Sequence, residues 1–168
     1  MLCVPSVTTE VDSLATLLDT SALAKLYHRE AGTEFVSRLL ENHEGSAFLS
    51  RLGLLEMHSV LASKVRTGEM IAEESALLRR RFRSDVRSRR FRIVALRLRH
   101  YSQAEELLEK HGPSRGLRAL DALQLAVALD LHRNGVIDSM ITADKVLLRV
   151  APIENIVVFN PESEVVDR

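Results

Sequence analysis

The chain has 168 residues, of which 46% are hydrophobic and 27% charged, as is ordinary for a globular protein long enough to bury a core without disulfides. Its formal net charge is zero, so whole-molecule electrostatics names no partner. Only 4% of the residues are aromatic and none is Trp, which argues against a platform of aromatic rings for stacking nucleobases.

The first segment and the single cysteine indicate a cytoplasmic protein. Cys3 cannot form an internal disulfide, which fits a reducing compartment. Residues 1–12 lack the basic start and apolar core of a signal peptide, and no apolar run approaches the roughly 20 residues of a membrane span. We expect residues 1–14 to form an N-terminal extension, residues 15–160 one domain, and residues 161–168 a C-terminal tail.

Short apolar runs alternate with stretches of helical periodicity along the chain. Strands are predicted at residues 15–19, 46–50, 91–96, 137–144 and 155–161. Helices are predicted at residues 21–30, 32–45, 51–68, 71–90, 101–112, 116–135 and 145–151. Between Arg79 and Arg99 there are ten arginines and one acid, so the surface should be polarised. Strands separated by helices, without a hairpin pattern, predict an α/β fold with a parallel sheet and helices on both faces.

Two aspartates are predicted to lie at the ends of strands. Asp19 follows the first apolar run, and Asp144 follows the fourth. In open parallel α/β sheets, sites form in the crevice beyond the carboxyl ends of the strands, which is where both residues would lie. Asp is also a favoured helix N-cap, and such a cap stabilises a helix by about 1 kcal/mol. For either residue taken alone, capping explains the sequence about as well as a functional site does.

Two further acids, Glu56 and Asp121, lie on the predicted apolar faces of helices. The apolar residues of these faces are Leu52, Leu55 and Val60 around the first acid and Leu117, Leu125 and Ala128 around the second. An unpaired carboxylate in an apolar environment is too costly to be left uncompensated. A salt bridge would satisfy one of them, with Arg118 as the candidate. Two inward acids together with two at strand ends favour a shared cation over four coincidences.

The cation that suits such a cluster is Mg²⁺ or Mn²⁺, because both are hard ions that prefer oxygen ligands. Zinc fits poorly, since the six histidines show no paired ligand spacing with cysteine. His28 and His58 are the histidines nearest to Asp19 and Glu56 in the chain. The sequence also lacks a phosphate-binding glycine loop, a dinucleotide fingerprint and a nucleophile elbow.

Four stretches carry a family resemblance. Residues 17–32, 54–62, 117–129 and 141–151 resemble, in order, the four acidic motifs of PIN-domain ribonucleases, and most closely those of the VapC toxins of bacterial toxin–antitoxin pairs. The resemblance spans residues 15–160. It implies a three-layer α/β/α sandwich with a central parallel sheet, in agreement with the alternation of strands and helices.

The resemblance also implies roles for individual residues. The implied catalytic and metal-binding acids are Asp19, Glu56, Asp121 and Asp144. Ser21 and Thr142 match small hydroxyl positions that support the site by hydrogen bonding to a carboxylate or a metal-bound water. For Thr142, a plain role as a β-branched strand residue explains the sequence nearly as well.

The function implied is that of a Mg²⁺-dependent endoribonuclease, with Mn²⁺ as the alternative ion, acting as the toxin of a toxin–antitoxin pair. The implied partners are RNA, a cognate antitoxin and a second copy of the chain. An RNA-processing nuclease without an antitoxin and a non-catalytic RNA- or protein-binding module stay open. Candidates for phosphate contacts are Arg79, Arg80, Arg81 and Arg83. A solvated helix face or a surface for an acidic partner explains these arginines almost as well.

Overall fold

Residues 15–42 and 46–163, the part of the chain that the computed structural model describes, form five strands with one or two of seven α-helices between successive strands. The strands are β1 (Thr16–Leu18), β2 (Ala47–Ser50), β3 (Arg92–Val94), β4 (Ser139–Ile141) and β5 (Val157–Phe159). The helices are α1 (Thr20–Ala24), α2 (Thr33–Asn42), α3 (Arg51–Arg66), α4 (Ala72–Arg87), α5 (Leu98–Arg115), α6 (Ala119–Arg133) and α7 (Lys145–Val150), with a short 3-10 helix at Ala151–Glu154. None of these helices is long and apolar enough to cross a membrane. The predicted extension, residues 1–14, lies outside the described residues.

The strands form one parallel sheet in the order β3-β2-β1-β4-β5, which places β1 at its centre. Thr16 of β1 lies opposite Ala47 of β2 on one side and Ser139 of β4 on the other. The three inner strands are buried along their whole length, whereas β3 and β5 are partly exposed. Burial on both faces is the reason why the inner strands appear in the sequence as short, mainly apolar runs.

Successive residues of the inner strands point into opposite layers, as the pleat of a strand requires. The core on one face contains Leu18, Leu49 and Ile141 together with side chains of α1 to α4. The core on the other face contains Leu17, Phe48 and Met140 together with side chains of α5 to α7. The fold is therefore a three-layer α/β/α sandwich, and the prediction of the fold class is confirmed.

The first predicted helix is too long, because α1 ends at Ala24 and not at Glu30. Lys25 follows it and is buried, with 2% of its surface exposed. Its Nζ lies 3.1 Å from a carboxylate oxygen of Glu30 and 2.7 Å from one of Glu162. Residues five apart do not share a face of a helix, so the chain has to turn for Lys25 to reach Glu30.

The end of α5 was also predicted wrongly. The helix continues past Gly112 and Pro113 and ends at Arg115. Pro113 lies in the last turn, where it removes a single backbone N–H. The helix stops at Gly116, whose φ of 72° is left-handed and suits a residue without a Cβ. The following glycine, not the proline, is the stop signal.

The beginning of the predicted tail packs against the domain. Pro161 is buried, and Glu162 forms the ion pair with Lys25. Residues 164–168 lie outside the described residues.

Candidate functional site

A cavity of about 760 Å³ opens at the carboxyl ends of β1 and β4 and is lined by residues of α1, α3, α4 and α6. Its wall carries Asp19, Glu56, Asp121 and Asp144, the four acids that the sequence analysis selected. They come from four separate places in the chain: the β1–α1 junction, α3, α6 and the loop before α7. We call this space the acid cavity.

Asp19 both caps a helix and lines the acid cavity. Its Oδ2 accepts hydrogen bonds from the backbone N–H of Ser21 at 3.2 Å and from the Ser21 hydroxyl at 2.7 Å. The same oxygen accepts a bond of 3.0 Å from the hydroxyl of Thr142, across the sheet. Oδ1 takes no hydrogen bond from the described part of the chain. One oxygen therefore fixes the orientation of the carboxylate, and the other is left without a protein donor.

Ser21 and Thr142 join the loop of Asp19 to the loop of Asp144. The Ser21 hydroxyl accepts a hydrogen bond of 2.8 Å from the backbone N–H of Ala143, and the Thr142 hydroxyl accepts one of 3.0 Å from that of Asp144. Asp144 caps α7, because its Oδ1 accepts bonds from the first backbone N–H groups of that helix at 2.8 and 2.9 Å. These contacts fix the relative position of the two aspartates.

The sequence predicted that Glu56 lies on a continuous apolar face of its helix, and this prediction is wrong. Leu55 is 68% exposed and lines the acid cavity beside Glu56, and the face of α3 that enters the core includes Met57 and Leu61. The helix is thus rotated so that Glu56 faces the cavity, half-buried, at the edge of the core. Asp121 is likewise half-buried at the cavity wall.

Neutral polar residues that were not predicted from the sequence surround Glu56. Its Oε2 accepts hydrogen bonds from the Thr20 hydroxyl at 2.7 Å and from Nε2 of Gln124 at 2.8 Å. Gln124 is 1% exposed, and its Oε1 accepts a bond of 2.7 Å from the hydroxyl of Ser50. The available signal was an amide within the otherwise apolar middle of α6, three residues after Asp121.

The acids of the cavity raise the energy of one another's charged forms. Burial raises the pKa of Asp121 to about 6, and the charges of the other three acids add to the effect. Burial also raises the pKa of Glu56, and the charge of Asp19 contributes, although hydrogen bonds from neighbouring side chains act against it. Both shifts have the direction expected for acids that share a cavity without a cation.

No ion pair joins the four acids to a lysine or arginine in residues 15–42 and 46–163. The salt bridge considered for Arg118 is therefore not formed. Within the same ranges, no three Asp, Glu, His or Cys side chains converge as ready-made ligands of one ion. The donors nevertheless suit Mg²⁺, which keeps several waters and needs only one or two carboxylates. The four carboxylates therefore suit an ion that keeps part of its hydration shell better than an ion held by protein ligands alone.

The four candidate arginines of α4 do not share one surface. Arg79 lines the acid cavity, and its guanidinium donates a hydrogen bond of 3.1 Å to the backbone carbonyl of His58. Arg81 lies over the ring of Tyr27, 5.7 Å from its centroid. Arg80 and Arg83 are exposed. The role of these four arginines in phosphate contacts stays a prediction.

Two histidines were singled out in the sequence, and one of them reaches the site. His58 lines the acid cavity, and its Nδ1 lies 3.1 Å from the guanidinium of Arg79. Burial lowers the pKa of His58, and the charges of Arg79 and Arg83 lower it further. His28 is not part of the cavity wall, and its Nδ1 is buried without a hydrogen-bond partner among the described residues.

A parallel α/β/α sandwich with an acid-lined cavity beyond the ends of its central strands defines a known class of domain. Residues 16–152 match the family model of the PIN domain. The chain belongs to the PIN-domain family. No curated protein is similar enough in sequence to match it.

Solved structures with the same fold are distant in sequence. FitAcB from Neisseria gonorrhoeae is 17% identical, with a TM-score of 0.63 over 89% of this chain and 99% of that chain. A toxin–antitoxin complex from Klebsiella pneumoniae is 20% identical, with a TM-score of 0.57 over 87% and 97%. VapBC2 from Rickettsia felis, bound to a DNA fragment from its promoter, is 15% identical, with a TM-score of 0.58 over 86% and 97%. At these identities the likeness is one of fold.

Proposed function

We propose that this protein is a Mg²⁺-dependent endoribonuclease that hydrolyses RNA phosphodiester bonds. The observation that carries the proposal is the meeting of four carboxylates, from four separate places in the chain, on the wall of one cavity. No lysine or arginine of the described residues neutralises them. Because unpaired carboxylates are costly to bury, their retention indicates a cation that the chain itself does not supply. Membership of the PIN-domain family supports this interpretation.

The residues that would hold the ion are Asp19, Glu56, Asp121 and Asp144. When bound, Mg²⁺ or Mn²⁺ supplies charge stabilisation to the phosphate and lowers the pKa of a water molecule. Ser21 and Thr142 act on Asp19 as positioning residues, because their hydroxyls donate to Oδ2 and leave Oδ1 without a donor from the described residues.

Glu56 has positioning residues of its own. Thr20 and Gln124 occupy Oε2 and leave Oε1 without a donor from the described chain. Neutral donors orient a carboxylate without cancelling its charge, so the cavity stays acidic until a cation enters. The same acidity repels a phosphodiester, and we therefore expect no cleavage of RNA when divalent ions are removed.

We further propose that the nuclease is the cytoplasmic toxin of a toxin–antitoxin pair, with residues 15–160 as its catalytic domain. The solved structures with the same fold include a toxin–antitoxin complex. Leu55 and Leu120, 68% and 49% exposed, line the cavity and offer an apolar surface to an antitoxin segment. A basic side chain of that segment would compete with Mg²⁺ for the acids, so inhibitor and ion should weaken each other's binding.

Dimerisation of the chain is part of the same proposal. Apolar side chains also lie exposed away from the acid cavity, among them Leu98 at 82% and Ile71 at 59%. A second copy of the chain that packs on such side chains would remove their apolar surface from water. Sedimentation of the purified chain at several concentrations measures the oligomeric state, and a monomer at every concentration would contradict this part of the proposal.

The direct test is cleavage of a labelled RNA by the purified chain. We expect cleavage with Mg²⁺ and none with EDTA. Asp121→Asn should abolish cleavage, whereas Glu105→Gln, which removes one exposed carboxylate of α5, should leave it unchanged. Cleavage that persists in EDTA or in Asp121→Asn would contradict the proposal.

The toxin assignment has a separate test in cells. Expression of the wild-type chain should arrest growth, and expression of Asp19→Asn should not. Co-expression of the protein encoded next to it should relieve the arrest. Harmless expression of a chain that cleaves RNA with Mg²⁺ in vitro would instead favour an RNA-processing nuclease.

A further inference from the structure

Three arginines of α4 form a row that leads out of the acid cavity. Arg79, Arg83 and Arg87 are spaced by four residues and therefore share one side of the helix. Arg79 lines the acid cavity, while Arg83 and Arg87 line a second groove of about 170 Å³. His58 belongs to the wall of both spaces, so the two adjoin. The row extends over two helical turns, about 12 Å.

Two neighbouring arginines, Arg81 and Arg90, are placed differently. Phe82 is buried and fixes which side of α4 faces the core. Arg81 lies on the other flank, over the ring of Tyr27, whose hydroxyl donates a hydrogen bond of 2.7 Å to Asp85. Arg90 pairs with that same aspartate at 3.4 Å. These cations serve contacts within the chain.

The arginines of the row retain donors for an external anion. Arg79 is held by the carbonyl of His58 at 3.1 Å and by the hydroxyl of Ser75 at 3.4 Å, which fixes its guanidinium at the cavity. Arg83 and Arg87 are exposed and make no hydrogen bond or ion pair with the described residues. A fixed guanidinium followed by two unpaired ones is suited to successive phosphates of one strand.

The groove beside Arg83 and Arg87 has an apolar floor formed by Leu54, Phe82 and Val86. Only 2% of Phe82 is exposed, so the floor offers no aromatic face on which a base can stack. Affinity for a nucleic acid strand in this groove must therefore come mainly from charge, with a strong dependence on salt.

We propose that the row Arg79, Arg83 and Arg87 is the path of the RNA strand beside the bond that is cut. Arg79 binds the phosphate at the cavity, and the other two bind the phosphates that follow. This inference rests on the proposed nuclease function. The occupant is RNA and not an acidic protein segment, because the row begins among four carboxylates that repel acidic side chains. A phosphate of the substrate is drawn to the same place by the ion that the carboxylates hold.

The test compares two double variants that each remove two exposed positive charges. In Arg83→Gln/Arg87→Gln the lost charges belong to the row, and in Arg115→Gln/Arg133→Gln they lie on α5 and α6, which pack on the other face of the sheet. Binding of a short fluorescein-labelled single-stranded RNA is followed by anisotropy at increasing KCl, with EDTA present so that metal-supported cleavage plays no part. The slope of log K against log[KCl] should become shallower by about 1.4 in the row variant, at about 0.7 per lost phosphate contact. The slope of the control should stay at the wild-type value.

Equal slopes in the two variants would overturn the proposal and leave the row as a surface for an acidic protein. Absence of RNA binding by the wild-type chain at low salt, both in EDTA and with Ca²⁺ in place of Mg²⁺, would overturn it as well. Neither result depends on cleavage. Failure of the nuclease proposal is recognised separately, by a chain that binds this RNA along the row and does not cut it with Mg²⁺.

Discussion

The protein treats its partly buried acids in two opposite ways. Between α5 and α6, Asp130 accepts hydrogen bonds of 3.0 and 2.7 Å from Arg99 and contacts Nε2 of His100 at 2.9 Å. The bonds from Arg99 lower the pKa of Asp130 below its ordinary value. In the acid cavity, Asp121 and Glu56 pair with no lysine or arginine of the part of the chain that the structure describes, and burial raises their pKa values. Where an acid serves the fold, the chain supplies its partner.

A second paired acid follows the same rule. Glu154 of the 3-10 helix accepts a hydrogen bond of 2.8 Å from Lys110, and its carboxylate lies 2.6 Å from Nε2 of the buried His111. Burial acts to raise the pKa of Glu154, but the bonds to these two side chains bring it below its ordinary value. Within the described ranges, these two structural acids have cationic partners and the four acids of the cavity have none. The difference supports the proposal that the cavity takes a cation from outside the chain.

The largest effect should follow from neutralising an acid of the cavity. Asp19→Asn or Asp121→Asn should reduce Mg²⁺-dependent RNA cleavage below detection, because each removes a charge that the ion requires. Circular dichroism and melting should show an intact fold. Glu154→Gln, which alters a paired acid, should keep cleavage per folded molecule. Full activity in Asp121→Asn would remove that residue from the site.

A smaller loss is expected from the residues that orient Asp19. Ser21→Ala or Thr142→Val removes one hydroxyl donor to Oδ2 and should lower the cleavage rate about 10- to 100-fold at saturating RNA. Raising the Mg²⁺ concentration should restore part of the loss, since the defect lies in holding the ion. The control is Ser84→Ala, at an exposed position of α4. Equal rates in all three variants would show that the two hydroxyls have no role in the reaction.

The paired acids should matter for stability. Asp130→Asn should destabilise the protein by about 1–3 kcal/mol, since it removes the negative charge and replaces one of the two oxygens that accept from Arg99 by an NH₂ group that can only donate. The pKa of Asp130 is lower in the folded chain than in the unfolded one. Its contribution is therefore present above the ordinary pKa of Asp and is lost as the pH falls through the folded value. Urea unfolding at several pH values measures the free energy of unfolding of both proteins. The difference between wild type and variant should become smaller below about pH 4.

The smallest effect separates the two kinds of acid most clearly. In the metal-free protein, Asp121→Asn should raise the melting temperature by about 2–4 °C, because it relieves repulsion from three neighbouring carboxylates. Asp130→Asn should lower it. Melting curves of the two variants and the wild type in EDTA measure these shifts. A lower melting temperature in both variants would mean that Asp121 is stabilised by contacts within the chain.

The sequence predicts the parts of the fold that follow from periodicity and strand order. Apolar runs between helices define the parallel sheet, and in such a sheet Asp19 and Asp144 have to emerge at the same edge. The support of Glu56 by Thr20 and Gln124 is not predictable in this way, since it joins three helices whose packing no local pattern fixes. The same holds for the arginines of α4: their number is visible in the sequence, but burial of Phe82 decides which of them reach the cavity.

The central claim is that the acids of the cavity share a divalent ion. Calorimetric titration of Mn²⁺ into the metal-free wild-type chain, Asp121→Asn and Asp130→Asn tests it most directly, because each variant loses one partly buried carboxylate. We predict binding to the wild type and to Asp130→Asn with similar affinity, and binding to Asp121→Asn that is weakened at least about 10-fold. Equal affinities in all three proteins, or no binding to the wild type, would contradict the account.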